Sequence, residues 1–416
     1  MTRMMTRELS TDAEAGPYPA RFAGIRPRNE RIGRPLKHFA KVDTVDEELL
    51  DRIGRRMFAR DELGASLVHA MRRDRTDPQR VTMRQFHQAL EHGIDSVADA
   101  PEALREFFAV VDTVPDWVDF DLLEKGARAF RRMGRSRNDV LLQLSLIGGY
   151  RFGGPPDLLV ATGGLTGSTA MRRLGETQKW GTAVGEPGGM RRGGEGFKLT
   201  VHVRAMHALV NHRFETNGRW DVQRWGLPIN QTDQAATLGL FNGTLLLGVR
   251  ALGYRVSRDE SRAVMHLWKY VGWLMGIDEE WLFDSERQQH RFNYHVVLVQ
   301  DDVTPAGADL SRALVDGQRD LNYRRFPTLR GHYERLRLLS MLRFFLGAEG
   351  LRDLGLPSVP PLAVAPVIAG NVVKSTLINR TPAGRRFLER VGDRAARREL
   401  SLKFGAAEPT VGKLNV

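Results

Sequence analysis

Apolar residues recur at three- and four-residue intervals along most of the chain beyond Asp43, whereas alternation with a period of two is scarce. Such intervals place apolar side chains on one face of an α-helix. Residues 45–74 show the pattern directly after Asp43 and Thr44, which are both suitable N-cap residues. The same pattern predicts helices over residues 82–92, 101–111, 117–134, 138–148, 168–180, 196–215, 232–253, 256–275, 278–300, 305–322, 329–346 and 381–402. We therefore expect an all-α fold.

The two ends of the chain differ from this helical middle. Residues 1–40 are polar, basic and proline-bearing, which indicates a flexible arm. Residues 41–405 carry the helical pattern without an internal repeat, so we expect them to form a single domain. Residues 406–416 are predicted to be a tail.

The composition narrows the possible chemistry. The net charge is +12, but the basic residues are spread along the chain in pairs such as Arg55-Arg56 and Arg131-Arg132. No basic stripe interleaved with aromatic residues is apparent, so an arginine-rich solvated surface is favoured over a nucleic-acid interface. The chain has no cysteine, which excludes disulfides, iron–sulfur clusters, thiolate-ligated haem and covalently attached haem.

Membrane and export signals are also lacking in the sequence. The N-terminal residues have no apolar core of the kind that a signal peptide needs. No run of about 18 uninterrupted apolar residues occurs, because the best candidate is broken by Asn242 and Arg250. The sequence thus predicts a soluble, cytoplasmic protein without a transmembrane segment.

One predicted helix stands out for its chemistry. Residues 196–215, GFKLTVHVRAMHALVNHRFE, follow a glycine-rich loop and carry His202, His207 and His212. Residues five apart in a helix are about 140° apart around the axis, so at most one of these rings points at a given site. Arg204 and His207 share a face. One imidazole in an apolar wall, with an arginine one turn away, suits a haem held through one axial nitrogen. An ordinary buried histidine is the alternative.

Two short motifs add a resemblance to a known family. Residues 173–177 read Arg-Leu-Gly-Glu-Thr, and residues 204–207 read Arg-Ala-Met-His about 30 residues later. The two motifs resemble the core of the latex clearing proteins. These belong to the wider rubber oxygenase family, which includes the fungal mycophenolic-acid-pathway oxygenase. The resemblance implies a globin-like helical core with additional N- and C-terminal helices. It also implies a pocket for non-covalent haem b.

The resemblance assigns roles residue by residue. It implies that His207 is the proximal ligand of the haem iron, and that Arg173 and Thr177 lie on the distal side. Arg173 and Thr177 are four residues apart and therefore share a helical face. Arg204 matches the arginine before the histidine. Arg204 and Arg172 are the further cofactor-binding candidates.

The implied reaction uses dioxygen to cleave a carbon–carbon double bond into two carbonyl products. The substrate is an isoprenoid or another apolar alkene, either a small molecule or a polymer. Asp157 or Glu176 would remove an allylic proton, and Arg173 would orient that carboxylate. The chain departs from the family here, because Asp157 is a shorter acid than the family's glutamate. In addition, Glu176 replaces a lysine that some members carry.

Two other functions stay open at this point. The chain is also compatible with a haem-binding sensor or carrier that has no turnover, and with a haem-free helical binding protein. Neither the oligomeric state nor the specific substrate follows from the sequence. No nucleic-acid partner is expected.

Overall fold

Helices make up most of the chain in the computed structural model, which describes residues 16–23, 26–163, 167–405 and 407–412. No strand occurs within these residues, which confirms the all-α prediction. The helices are α1 Arg26–Ala40, α2 Glu47–Arg55, α3 Glu62–Met71, α4 Met83–His92, α5 Glu102–Val111, α6 Phe120–Arg132, α7 Arg135–Val140, α8 Pro155–Ala161, α9 Gly167–Val184, α10 Glu195–Asn217, α11 Val222–Trp225, α12 Gln231–Phe241, α13 Gly243–Ala251, α14 Arg258–Leu274, α15 Glu286–Leu298, α16 Pro305–Asp316, α17 Pro327–Asp353, α18 Val364–Thr376 and α19 Pro382–Phe404. A π-helix, Leu141–Ile147, continues α7.

Local sequence explains where several of these helices begin. Thr82 caps α4 in a capping box with Gln85, and Ser257 caps α14 in the same way with Glu260. In both cases the N-cap hydroxyl accepts a backbone N–H and the third helical residue bonds back to the cap. Such boxes satisfy backbone donors that the first helical turn leaves free.

The core is built around α10 and α14. Helix α10 packs against α3, α9 and α14. Trp268 of α14 is fully buried, with its ring stacked on Phe241 at 4.9 Å and edge-on to Trp180 at 5.6 Å. A Cβ at Gly126 would lie 2.3 Å from the Ala263 carbonyl oxygen, so only glycine lets α6 and α14 approach this closely. Aromatic packing and close helix contact therefore fix the frame on which α10 lies.

The N-terminal segment differs from its prediction as a flexible arm over residues 1–40. Residues 26–40 form α1, which packs along α15. A Cβ at Gly33 would lie 2.9 Å from the Tyr294 ring, and the buried Asn29 amide donates to the Gln300 carbonyl oxygen at 2.7 Å. Tertiary contacts therefore stabilise a helix that its composition disfavours. Residues 1–15 lie outside the described residues. The single-domain assignment of residues 41–405 and the globin-like core arrangement stay predictions.

Two predicted helices are shorter than expected. The helix predicted over 232–253 is divided at Asn242, whose backbone (φ −112°, ψ −88°) is not helical. The buried Asn242 side chain donates to the Gln289 side chain at 3.0 Å, which ties the break to α15. Helix α15 itself starts at Glu286, eight residues after the predicted start at Asp278, because Ser285 caps it. Within the described residues, no helix is both long enough and apolar enough to cross a bilayer.

Candidate active site

A large apolar cavity lies beside α10, α12 and the π-helix. Its volume is about 760 Å³, which falls within the range of pockets that bind cofactors and small molecules. Apolar side chains from several helices dominate the wall, among them Leu146, Leu158, Trp180, Phe241, Val271 and Phe345. A cavity of this size and polarity is suited to a large apolar ligand.

The π-helix forms one side of the cavity. The Gly148 amide donates to the Gln143 carbonyl oxygen five residues earlier, which is the π-helical bond, and Leu144, Ser145 and Leu146 line the cavity. The Ser145 hydroxyl donates to the Leu240 carbonyl oxygen at 2.9 Å. π-Helices are rare and occur frequently at functional sites. The sequence prediction of an apolar helix over 138–148 gave the right location but missed this geometry.

His207 lies on α10 and contacts the cavity. The side chain is partly buried and forms part of the cavity wall. Its Nδ1 atom is buried without a hydrogen-bond partner. Burial lowers the pKa of His207, while the adjacent Gln234 side chain and the charge of Asp61 oppose the shift. The ring is therefore neutral near pH 7, which is the form that can ligate a metal.

A second, very small cavity lies on the other side of the histidine. Its volume is about 10 Å³, which is room for one water at most. His207, Gln234, Ile229 and Met275 line both cavities and therefore separate them. The Gln234 Oε1 atom is also buried without a partner, so the two unpaired atoms belong to neighbouring side chains in one wall. The amide is close enough to influence the imidazole, although the pair lacks the geometry of a full hydrogen bond.

Arg204 shares a helix face with His207 but does not line either cavity. Its guanidinium donates two bonds of 2.7 Å to the carboxylate of Asp61 on the loop before α3. It also lies 5.1 Å from the centre of the Phe107 ring. A Cβ at Gly276 would lie 2.7 Å from both ionic partners, and its φ of +80° also favours glycine. The pair is thus enclosed and joins α10 to α3.

Arg173 contacts the end of α8. Its guanidinium donates to the Thr162 hydroxyl at 2.9 Å, the Thr162 carbonyl oxygen at 3.2 Å and the Leu159 carbonyl oxygen at 3.3 Å. Carbonyls at a helix C-terminus lack partners within the helix, and a cation satisfies them well. Arg173 therefore stabilises the α8 terminus, and its side chain is not part of the described cavity wall.

Asp157 stabilises the other end of the same helix. Its carboxylate accepts the Gly154 amide at 2.9 Å and the Thr304 hydroxyl at 3.0 Å. Its neighbours Pro156 and Leu158 line the cavity, but Asp157 does not. The residue thus has the position of a helix cap, which leaves its proposed role as a base untested.

The other α9 candidates lie outside the cavity wall, and the Glu176 side chain is 19% exposed. Thr177 is exposed. Arg172 is exposed and pairs with Glu176 at 3.3 Å, one helical turn apart. Trp180, three residues beyond Thr177, is the α9 side chain that lines the cavity, and its indole N–H donates to the Thr200 hydroxyl at 2.9 Å. Trp180 lies seven residues after Arg173 and three after Thr177, and this helical spacing could have identified it as a further site residue.

The remaining histidines of α10 lie away from the large cavity. His202 stacks on His87, with ring centres 6.1 Å apart, and its Nε2 lies 2.9 Å from the Gly412 carbonyl oxygen. His212 lies edge-on to His69 at 5.3 Å. Of the three α10 histidines, His207 is thus the one that contacts the large cavity, as the helical spacing predicts. Sequence reasoning had no signal for Gln234, which comes from a different helix.

Comparisons with known proteins place this chain in a family. Residues 136–373, more than half of the chain, match the family model described as "ER-bound oxygenase mpaB/B'/Rubber oxygenase, catalytic domain". The rubber oxygenase of Streptomyces sp. (strain K30) is 24% identical over 281 residues, which are 66% of this chain and 64% of that relative.

A solved structure, the latex clearing protein LCP in the closed state, covers 79% of this chain and 92% of its own at 19% identity, with a TM-score of 0.47. The family model spans the π-helix, the cavity wall on α12 and the His207 helix. This chain belongs to the family of the ER-bound and rubber oxygenases and carries its catalytic domain.

Proposed function

We propose that this protein is a haem-b oxygenase that cleaves a carbon–carbon double bond of an apolar alkene with dioxygen. The observation that carries the proposal is His207, a neutral imidazole with an unpaired buried nitrogen in the wall of a large apolar cavity. The oxygenase family assignment supports the reaction class. Isoprenoids are the substrates that the family resemblance suggests, whether as small molecules or as a polymer.

The residues around the cavity fit a haem. His207 would hold the haem through Nε2, because Nδ1 is buried, and the Gln234 amide beside the ring would accept the Nδ1–H group. A ligating histidine usually donates its second ring nitrogen in this way. Arg31 and Arg151 are cations in the wall that could face propionates, although each pairs with a carboxylate, at 2.9 and 2.6 Å. When bound, the haem supplies the redox-active iron that dioxygen chemistry requires.

The protein contributes binding, orientation and exclusion of water. The apolar wall binds the alkene and keeps bulk water from the reacting atoms. His207 would hold the cofactor, and the Gln234 amide beside it would orient the ring. The overall reaction consumes one alkene and one dioxygen and forms two carbonyls, so it needs no external reductant.

The proton-transfer roles belong to the same proposal. Glu176 or Asp157 would hold the allylic proton on a carboxylate oxygen, with Arg173 as the positioning residue and Thr177 as a distal hydrogen-bond donor. These side chains bond to other partners or lie towards the surface in this structure. That arrangement also favours a second candidate, a haem-binding sensor or carrier without turnover.

An absorption spectrum of the purified protein after haem addition tests the cofactor. We expect a Soret band that is lost in His207→Ala and retained in the matched control His202→Ala. A colourless protein that takes up no haem would contradict both candidates. Incubation of the reduced holoprotein with dioxygen and an oligo-isoprene then separates them, because only an oxygenase forms carbonyl products.

A further inference from the structure

The start of α17 presents an apolar surface that the core does not use. Phe326, Leu329, Tyr333 and Leu336 are 73, 71, 60 and 53% exposed. Intervals of four and three residues put Leu329, Tyr333 and Leu336 in one row along the helix, and Phe326 is the N-cap residue that precedes it. We call these four residues the α17 stripe.

Unpaired cations flank the α17 stripe. Arg324, Arg325 and Arg330 are exposed and have no carboxylate partner within the described residues. By contrast, two arginines further along the helix are paired, since Arg335 bonds to Asp316 at 2.7 Å and Arg337 to Asp139. Residues 324–333 contain no acidic side chain. The surface therefore combines exposed apolar groups with uncompensated positive charge.

The backbone at Phe326 makes this exposure costly. Phe326 has φ +49° and ψ +55°, a left-handed conformation that a bulky residue rarely adopts. Pro327 follows it as the first helical residue, and the Arg330 amide closes the first turn on the Phe326 carbonyl oxygen at 2.9 Å. The fold thus holds a strained phenylalanine whose ring faces solvent. Strain of this type is typical of functional positions.

We propose that the α17 stripe and its three arginines form a docking surface for an anionic lipid bilayer. Apolar side chains of an amphipathic helix insert at the level of the headgroups, and adjacent arginines bind the phosphates. A second copy of the chain fits less well, because a twofold contact would bring the same unpaired arginines of both copies together. In the sequence the three arginines do not differ from the other basic residues, which are spread along the chain. The α17 stripe is recognised only from the structure, which shows which apolar residues of α17 are exposed and which are buried.

The same helix leads from the docking surface to the cavity. Phe345 and Leu346 of α17 line the cavity about two and a half turns beyond Leu336, directly before Gly347, whose φ of +71° and ψ of −178° interrupt the helix. Docking would thus place the cavity wall close to a phase in which apolar alkenes dissolve. This last step rests on the proposed oxygenase function, whereas lipid binding does not.

Vesicle sedimentation of the full chain tests the docking surface. We expect binding to phosphatidylcholine vesicles that contain phosphatidylglycerol, little binding to pure phosphatidylcholine, and weakening by salt. Arg325→Gln/Arg330→Gln should weaken binding about 20- to 30-fold, and Phe326→Ser/Leu329→Ser by at least about tenfold. The matched controls are Arg84→Gln/Arg105→Gln and Val110→Ser/Val114→Ser, which change exposed residues elsewhere and should bind normally.

A site-specific signal complements sedimentation because the chain has no cysteine. Leu329→Cys carrying a polarity-sensitive dye should shift to shorter wavelength on anionic vesicles, while labelled Val110→Cys should not. The proposal would be overturned by equal binding to neutral vesicles or by an equal loss of binding in the control variants. It would also be overturned if the protein were a dimer that Phe326→Ser/Leu329→Ser converts to a monomer. Turnover of a detergent-dispersed alkene is measured separately, so that failure of docking and failure of the oxygenase function are distinguishable.

Discussion

His207 on α10 and the pair Arg173 and Asp157 at the two ends of α8 are parts of the candidate site that differ in how their polar groups are satisfied. At His207, a ring nitrogen and a neighbouring amide oxygen are buried without partners. At the ends of α8, Arg173 makes three hydrogen bonds and the Asp157 carboxylate accepts two. Buried polar groups without partners are costly. Unpaired groups on side chains that line a cavity mark a candidate binding site, whereas the hydrogen bonds of Arg173 and Asp157 indicate a role in the fold.

Arg204 lies on the His207 helix, but its hydrogen bonds are satisfied, as are those of Arg173 and Asp157. It is buried and fully engaged with Asp61. If it serves the fold, Asp61→Ala should lower the free energy of unfolding of the haem-free protein by about 3–5 kcal/mol, because a buried cation then lacks its partner. Urea unfolding measures this change, and exposed Arg213→Ala on the same helix is the control, with an expected change within about 0.5 kcal/mol.

The opposite result for Arg204 would change its assignment. If Arg204→Ala left stability intact and weakened haem uptake alone, the arginine would be a cofactor-binding residue, as the sequence motif suggests.

Gln234 tests whether the unpaired nitrogen of His207 matters for haem binding. If its Oε1 accepts the Nδ1–H group of His207, Gln234→Leu should weaken haem binding about 10- to 100-fold. Gln234→Glu should restore binding and lower the reduction potential, because a carboxylate is a stronger acceptor. Haem titration and a redox titration give the two values.

The control for Gln234 is Thr237→Val, three residues along α12 and also in the cavity wall. A change of equal size in this control would mean that the effect comes from the cavity in general and not from the amide.

Arg173 tests whether a satisfied side chain has only a structural role. Loss of its bonds to Thr162 and Leu159 in Arg173→Ala should cost about 1.5 kcal/mol, the lower end for bonds to a charged group, because the side chain is half-buried. Thermal or urea unfolding of the holoprotein measures this cost. A fall in turnover that far exceeds the stability change, with the haem spectrum retained, would favour the distal role that the family resemblance implies.

The sequence was informative where the residues that support a prediction all lie in one helix. Helical periodicity predicted the all-α fold, and the five-residue spacing of His202, His207 and His212 left one ring for one site. Both inferences use geometry that is local to a helix and needs no tertiary information. The resemblance of the 173–177 and 204–207 motifs then indicated the family, which the match over residues 136–373 confirms.

The sequence was misleading where tertiary contacts decide the structure. Helix α1 forms because Gly33 and Asn29 fit against α15 and the segment after it, and no local propensity reveals that fit. Gln234 meets His207 across a helix interface, and the π-helix depends on how residues 141–147 pack. The contacts of Arg173 with α8 were equally inaccessible, since a motif gives a residue's identity but not its hydrogen-bond partners.

Thr177 gives the smallest expected effect and the most direct test of the α9 assignment. The side chain is exposed, so Thr177→Val should change the free energy of unfolding by no more than about 0.5 kcal/mol and leave haem uptake unaltered. Because neither quantity moves, turnover reports on the hydroxyl alone. A loss of carbonyl product in Thr177→Val would place the hydroxyl at the reacting atoms and require α9 to move towards the cavity during catalysis. Unchanged product formation would leave Trp180 as the side chain through which α9 acts on the cavity.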